Sequence, residues 1–177
     1  VINRGKHKAE KEYLWMVRSV MEKLVIFHYD MGSRSGSVIE SLVSQYHFKG
    51  YLQCDGFAGY ETAFKTNPDV RLVNCMAHIR RDFEHALGEN KKEAEYGLTQ
   101  IQYMYRIEHC CDKAGLSFDG RKAKRRELTR PIMEAMKTWM ETEGIKYSPQ
   151  SLIGKAVSYA YTRWDNMMRC LEDGRLL

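Results

Sequence analysis

The stretch Tyr51-Leu-Gln-Cys-Asp-Gly-Phe-Ala-Gly-Tyr60 sets a carboxylate, Asp55, at the end of a short apolar run and directly before Gly56 and Gly59. Mixed α/β sheets expose reactive groups at the C-terminal ends of their strands. A hard divalent cation such as Mg²⁺ takes carboxylate and water oxygens, and the two glycines would let a bulky polyanion approach the backbone. Asp55 is therefore a candidate metal ligand; a helix cap for a segment from Phe57 to Thr66 is the other reading of the same residue. Cys75 and His78, spaced C-x-x-H, have the form of half a zinc site, with His85 two turns further on. A zinc site normally shows four such ligands, and no second half follows, so a buried Cys75 and a hydrogen-bonded His78 are the expectation. The run Gly120 to Arg130 concentrates Arg121, Lys122, Lys124, Arg125, Arg126 and Arg130 against the lone acid Glu127. Such a run neutralises phosphates and releases counterions, or else forms a solvated helix end.

These residues need elements to hold them. Tyr13 to Val20 and Leu24 to Tyr29 are β-branched and aromatic runs separated by a short polar break, which predicts an antiparallel hairpin. After the Gly32 to Gly36 loop, Val38, Leu42, Val43 and Tyr46 recur at helical spacing. Gly50 to Cys54 and Val70 to Cys75 read as strands on either side of a short helix closed by Asn67-Pro68. Met76, Ile79, Phe83, Ala86 and Leu87 then form one helical stripe, with His78, Arg81, Asp82 and His85 on another face. The order is β-β-α-β-α-β-α, and near Asn90 the pattern turns wholly helical. Three longer helices are expected there: one to about Gly115, one from Leu128 to Gly144 with Pro131 kinking or starting it, and one capped by Ser148 with Pro149 and running past Leu171. Trp15, Trp139 and Trp164 fall in apolar stripes and read as core. The chain divides into residues 1–89 and a helical part, residues 90–177.

With 177 residues, 44% of them hydrophobic and 29% charged, the chain can bury a sizeable core, which excludes a disordered or fibrous protein. No apolar run approaches the roughly 20 residues of a membrane span, and the N-terminal segment lacks a signal peptide's apolar centre. Five cysteines, including the adjacent Cys110 and Cys111 and no C-x-x-C pair, suit reduced thiols in an intracellular compartment. A net charge of +5 permits a polyanionic partner without requiring one.

Taken in order, YLWMVRS, HYDMGSRSG, GYLQCDGFAGY, VNCMAHIRRDFEHAL and WDNMMRCLEDGRL resemble the DDE transposases of the insertion sequence 66 family, with Met76 standing where that family typically has an aromatic residue. The resemblance implies a ribonuclease H-like mixed sheet lacking its first strand, followed by a mainly helical insertion. It implies that Asp55 is the second catalytic and metal-binding acid, just past the strand next to the one that bears the first. It places the first Asp upstream of Val1 and the last Glu beyond Leu177, so the chain reads as a central fragment, inactive alone. Asp30 and Glu172 match neither position. Two Mg²⁺ (or Mn²⁺) ions about 3.5 to 4 Å apart are the expected cofactors of the intact site. DNA, as transposon ends and target, is the expected partner, with self-association open, no membrane, and a bacterial cytoplasmic, nucleoid-associated location. His78 and Arg81 would face the reacting strand, Arg121, Lys122, Lys124, Arg125 and Arg126 would contact DNA, and Arg34 and Arg80 are weaker candidates for its backbone. The competing reading is a catalytically inactive DNA-binding or assembly module that uses the basic helical half.

Overall fold

The computed structural model describes residues 11–176; the first ten residues of the expected N-terminal part lie outside them. β1 (Tyr13–Ser19) and β2 (Leu24–Asp30) pair antiparallel, Trp15 opposite His28 and Ser19 opposite Leu24. Alternation along a strand sends side chains to opposite faces. Trp15 is accordingly buried and meets Tyr60 edge-on with ring centroids 6.2 Å apart, while Leu14, Met16 and Phe27 lie exposed on the other face. α1 (Gly36–Gln45) starts at Ser35, whose hydroxyl accepts from the Ser37 N–H, and packs on α2 (Ala58–Phe64). The two helices approach so closely at Gly36 that a Cβ there would stand 2.1 Å from the Gly59 carbonyl oxygen, so glycine is required.

β3 (Gly50–Cys54) and β4 (Val70–Asn74) form a second pair. The Gly50 N–H donates to the Asp69 carbonyl at 2.8 Å and the Cys75 N–H to the Cys54 carbonyl at 3.0 Å. The register thus advances in the same direction on both strands, a parallel pair with α2 in the crossover. The element order agrees with the sequence reading. The expectation of a single mixed sheet is not met among the described residues: the four strands form two sheets of two, because no strand here bonds to both pairs.

α3 (Met76–Ala86), α4 (Lys91–Lys113), α5 (Phe118–Lys124), α6 (Arg130–Thr142), α7 (Leu152–Thr162) and α8 (Trp164–Met168) complete the chain. Ile79 and Phe83 of α3, Ile101 of α4, Met136 of α6, Ile153 of α7 and Trp164 of α8 share one core and are almost wholly removed from solvent. Each such side chain contributes roughly 1.5–3 kcal/mol by leaving water. Two compact units result: one runs to Leu52 and resumes over Phe57–Leu72, and the other comprises Gln53–Gly56 with Val73–Leu177. The composition change at Asn90 lies inside the second unit, because α3 packs on α4 and α7.

Three details of the helical unit depart from the sequence reading. Ser148 is not the cap of α7: Ser151 is, accepting from the Gly154 N–H at 3.1 Å, while the Ser148 carbonyl accepts from Ser151 in a preceding turn. The final stripe is not one helix, since at Arg163 the backbone leaves helical geometry (φ −111°, ψ 3°) between α7 and α8, and a 3-10 turn covers Arg169–Leu171. Pro131 falls in the first turn of α6, the helix start expected of it, but ahead of it the chain widens into a π turn over Arg125–Thr129. Proline has no N–H and its ring would clash with the carbonyl four residues back, and a widened turn relieves both. No helix of the described residues is long and apolar enough to cross a membrane.

Candidate active site

Asp55 follows the last residue of β3 and is partly exposed. The first residue of α2 is Ala58 and its cap position is Phe57, so Asp55 lies two residues ahead of the cap position. The main chain around it is held by three residues, one at the end of β4 and two at the end of α7. Asn74, buried at the end of β4, donates from Nδ2 to the Asp55 carbonyl at 3.2 Å. The Tyr159 hydroxyl on α7 accepts from the Gly56 N–H at 3.1 Å. Arg163, just past α7, donates from Nη2 to the Gly56 carbonyl at 2.7 Å, with its guanidinium 4.0 Å over the Tyr159 ring. Both peptide groups of Gly56 are thereby fixed. A Cβ on Gly56 would lie 2.2 Å from Arg163 Nε and 2.3 Å from the Tyr159 hydroxyl, so this residue must be glycine for the clamp to close.

The surroundings of Asp55 are polar and incompletely satisfied. Asn74 Oδ1 and Arg163 Nε, on the two residues that hold the Asp55 and Gly56 carbonyls, are buried without a hydrogen-bond partner. Burial pushes the Tyr159 hydroxyl above its ordinary pKa; Arg163 and the Gly56 N–H pull it down, and Asp82 and Asp55 push it up. Asp55, Asp82 and Arg163 therefore all act electrostatically on the Tyr159 hydroxyl. Tyr159 and Arg163 went unnoticed in the sequence, where the only signal was an aromatic and an arginine four apart, beside the apolar stripe of α7.

His78 sits half-buried in the first turn of α3, and Arg81 is exposed one turn on. Arg80 is exposed and ion-paired with Glu84 at 2.6 Å. Arg34 lies in the other unit, its guanidinium 4.5 Å over the Phe57 ring.

The basic run divides in two. Arg125, expected to contact DNA, is 3% exposed, and its donors go to Glu108 of α4 (2.7 Å twice) and to the carbonyls of Cys170, Asp173 and Leu176. Arg121 joins Glu108 at 2.8 Å and also pairs with Asp112. These two arginines hold the helices together, because an acid on α4 faces them and desolvated guanidinium groups require such partners. Burial pushes the Glu108 carboxyl up, but the hydrogen bonds and charges of Arg125 and Arg121 outweigh it and hold the group below its ordinary value. Lys122, Lys124 and Arg126 keep access to solvent; Lys124 pairs with Glu127 and Arg126 donates to the Leu171 carbonyl.

The sequence profile of the transposase IS66 family matches residues 1–177, the whole chain. This chain belongs to the IS66 transposase family. It is similar to two uncharacterized proteins of Sinorhizobium fredii: y4qI, 26% identical over 97% of this chain and 34% of that protein, and y4hP, 28% identical over 75% and 27%. The chain thus spans about a third of the length of the curated relatives it matches. No solved structure matches it. As for metal binding in this family member, the carboxylate of Asp55 is a fitting donor for a hard divalent cation. Among the described residues no group of three or more His, Cys, Asp or Glu side chains is placed to hold one.

Proposed function

We propose that this chain is the central part of a DDE transposase catalytic domain with a ribonuclease H-like core, in which Asp55 is one of three catalytic acids and the helical unit is the insertion that follows the last strand. The observation that carries the reading is the placement of Asp55: it stands at the C-terminal end of a parallel strand, ahead of the cap position of α2, and precedes a glycine whose two peptide groups are both held. Two strand pairs without a strand joining them are in keeping with a core whose first strand lies outside these residues.

In the intact protein the reactions are hydrolysis of a DNA strand at the transposon end and attack of its 3′-hydroxyl on a target phosphate. Bound Mg²⁺ or Mn²⁺ ions would supply an activated oxygen nucleophile and stabilise the leaving oxygen. The chain's own residues orient Asp55 through the Gly56 peptide, while His78 and Arg81 at the start of α3 offer cationic or hydrogen-bonding groups toward phosphate charge. Lys122, Lys124 and Arg126, with the exposed Arg130, are the members of the basic run left to meet the DNA backbone. With one of the three acids, the 177-residue chain alone is expected to cleave nothing.

Asp55→Asn keeps the side chain's size and removes its charge. In the full-length protein it is expected to lower Mg²⁺-dependent strand cleavage and transfer by about 100- to 1000-fold, the range of other single-group losses from polar catalytic sites. DNA binding and melting temperature should stay near those of the parent. Transfer retained at the parent rate would reject the proposal and favour the inactive DNA-binding or assembly module.

A further inference from the structure

The helical unit does more here than extend the core. Tyr159 and Arg163 lie more than a hundred positions from Gly56 in sequence, yet they take one peptide group each: the tyrosine hydroxyl accepts the Gly56 N–H and the guanidinium donates to the Gly56 carbonyl. Arg163 is itself oriented by stacking on the Tyr159 ring and by Nη1 bonds to the Tyr159 carbonyl (3.3 Å) and Thr162 hydroxyl (2.9 Å). This arrangement depends on the break between α7 and α8, because the non-helical backbone at Arg163 sets where its side chain leaves α7. On the opposite side Asn74 fixes the Asp55 carbonyl. The peptide after the Asp55 Cα is thus held by Asn74 and Tyr159 together, the one before it by the Cys75 N–H on the Cys54 carbonyl (3.0 Å), and the direction of the side chain follows from that grip.

From this geometry we infer that Tyr159 and Arg163 are positioning residues for Asp55: the helical insertion sets the orientation of the catalytic carboxylate by clamping the peptide groups of Gly56. The inference rests on the assignment of Asp55 proposed above. Loss of either bond frees the Asp55–Gly56 turn to move by a fraction of an ångström to an ångström, and misplacement of 1 Å can cost about 100-fold in rate. Neither residue touches the reacting atoms in this scheme, so the effect falls on turnover and leaves affinity for DNA alone.

The test uses the full-length protein with Tyr159→Phe, Arg163→Gln and Arg163→Lys, and Asp55→Asn as reference. Amide hydrogen exchange over the Asp55–Gly56 peptide and cleavage kinetics on a transposon-end duplex are both read. Tyr159→Phe, which keeps the ring under Arg163 and removes only the acceptor, is expected to speed exchange of the Gly56 amide about tenfold and lower kcat roughly 10- to 100-fold, with KM for DNA unchanged. Arg163→Gln should lower kcat similarly and Arg163→Lys should restore part of it, the lysine still donating to the Gly56 carbonyl. Unchanged exchange and unchanged kcat in Tyr159→Phe, with Asp55→Asn inactive, would overturn the clamp and leave the site assignment standing. Full activity in Asp55→Asn would remove the assignment and the inference with it. Should Arg163→Gln melt early, Tyr159→Phe decides alone.

Discussion

Arg125 shows how one residue's chemistry changes with its partners. Its guanidinium donates to both oxygens of Glu108 and to three carbonyls of the C-terminal turns, so it joins α4 to the end of the chain. Removing one member of a buried ion pair leaves the other charged and desolvated. Arg125→Met should therefore lower unfolding stability by about 3 kcal/mol, read as a fall in the urea midpoint, and Arg125→Lys should recover little of it because an ammonium cannot reproduce the two-pronged bond to Glu108. Lys122, Lys124 and Arg126 behave oppositely. If they meet phosphates, alanine at each should weaken DNA binding equally across sequences and reduce the slope of log affinity against log salt by about 1, with little change in stability. A salt slope identical to the parent's in the triple variant would leave the basic run with a purely structural role.

At the scale of elements, the cap of α7 gives a direct check. Ser151 accepts the Gly154 N–H and Ser148 does not cap the helix, so Ser151→Ala should cost about 1 kcal/mol and Ser148→Ala clearly less. The sequence suggested the reverse, because a serine followed by proline is a common helix start, and nothing local says that Ser148 is used one turn earlier. Elements governed by periodicity were legible: β3 and the order of the first seven elements could be read from alternation and helical stripes, since burial on one face decides them. The π turn before Pro131 and the break at Arg163 were not: the proline can be met by a kink, a helix start or a widened turn, and distant partners decide the geometry at both places. Arg125 must face Glu108, and Arg163 must reach Gly56. The site divides the same way. Asp55 was legible from its place between a strand and two glycines, whereas its positioning partners required the fold, and the charge of the basic run said nothing of the acid that would neutralise part of it.

For the molecule as a whole, those ion pairs set the response to acid. The hydrogen bond and charge of Arg175 beside Asp173 hold that carboxyl down at about 2, and Glu108 lies below its ordinary value for the reasons given above. A carboxyl depressed in the folded state binds fewer protons there than when unfolded, so its stabilisation is complete above the unfolded pKa and is lost as pH falls through the folded one. Asp173 and Glu108 both belong to the helical unit, at the C-terminal turn and on α4, so that unit should be the one that loosens. Between about pH 5 and pH 2 the stability reported by Trp164 fluorescence in urea should fall, modestly because the Asp173–Arg175 pair is screened by solvent, while remaining flat from pH 5 to 7 as far as these groups are concerned. Arg125→Met supplies the internal control: without that guanidinium Glu108 loses its main depressing partner, so the variant should be less stable at neutral pH and lose less on acidification. A variant with the parent's acid limb would mean that the Glu108 pair contributes nothing to the pH dependence.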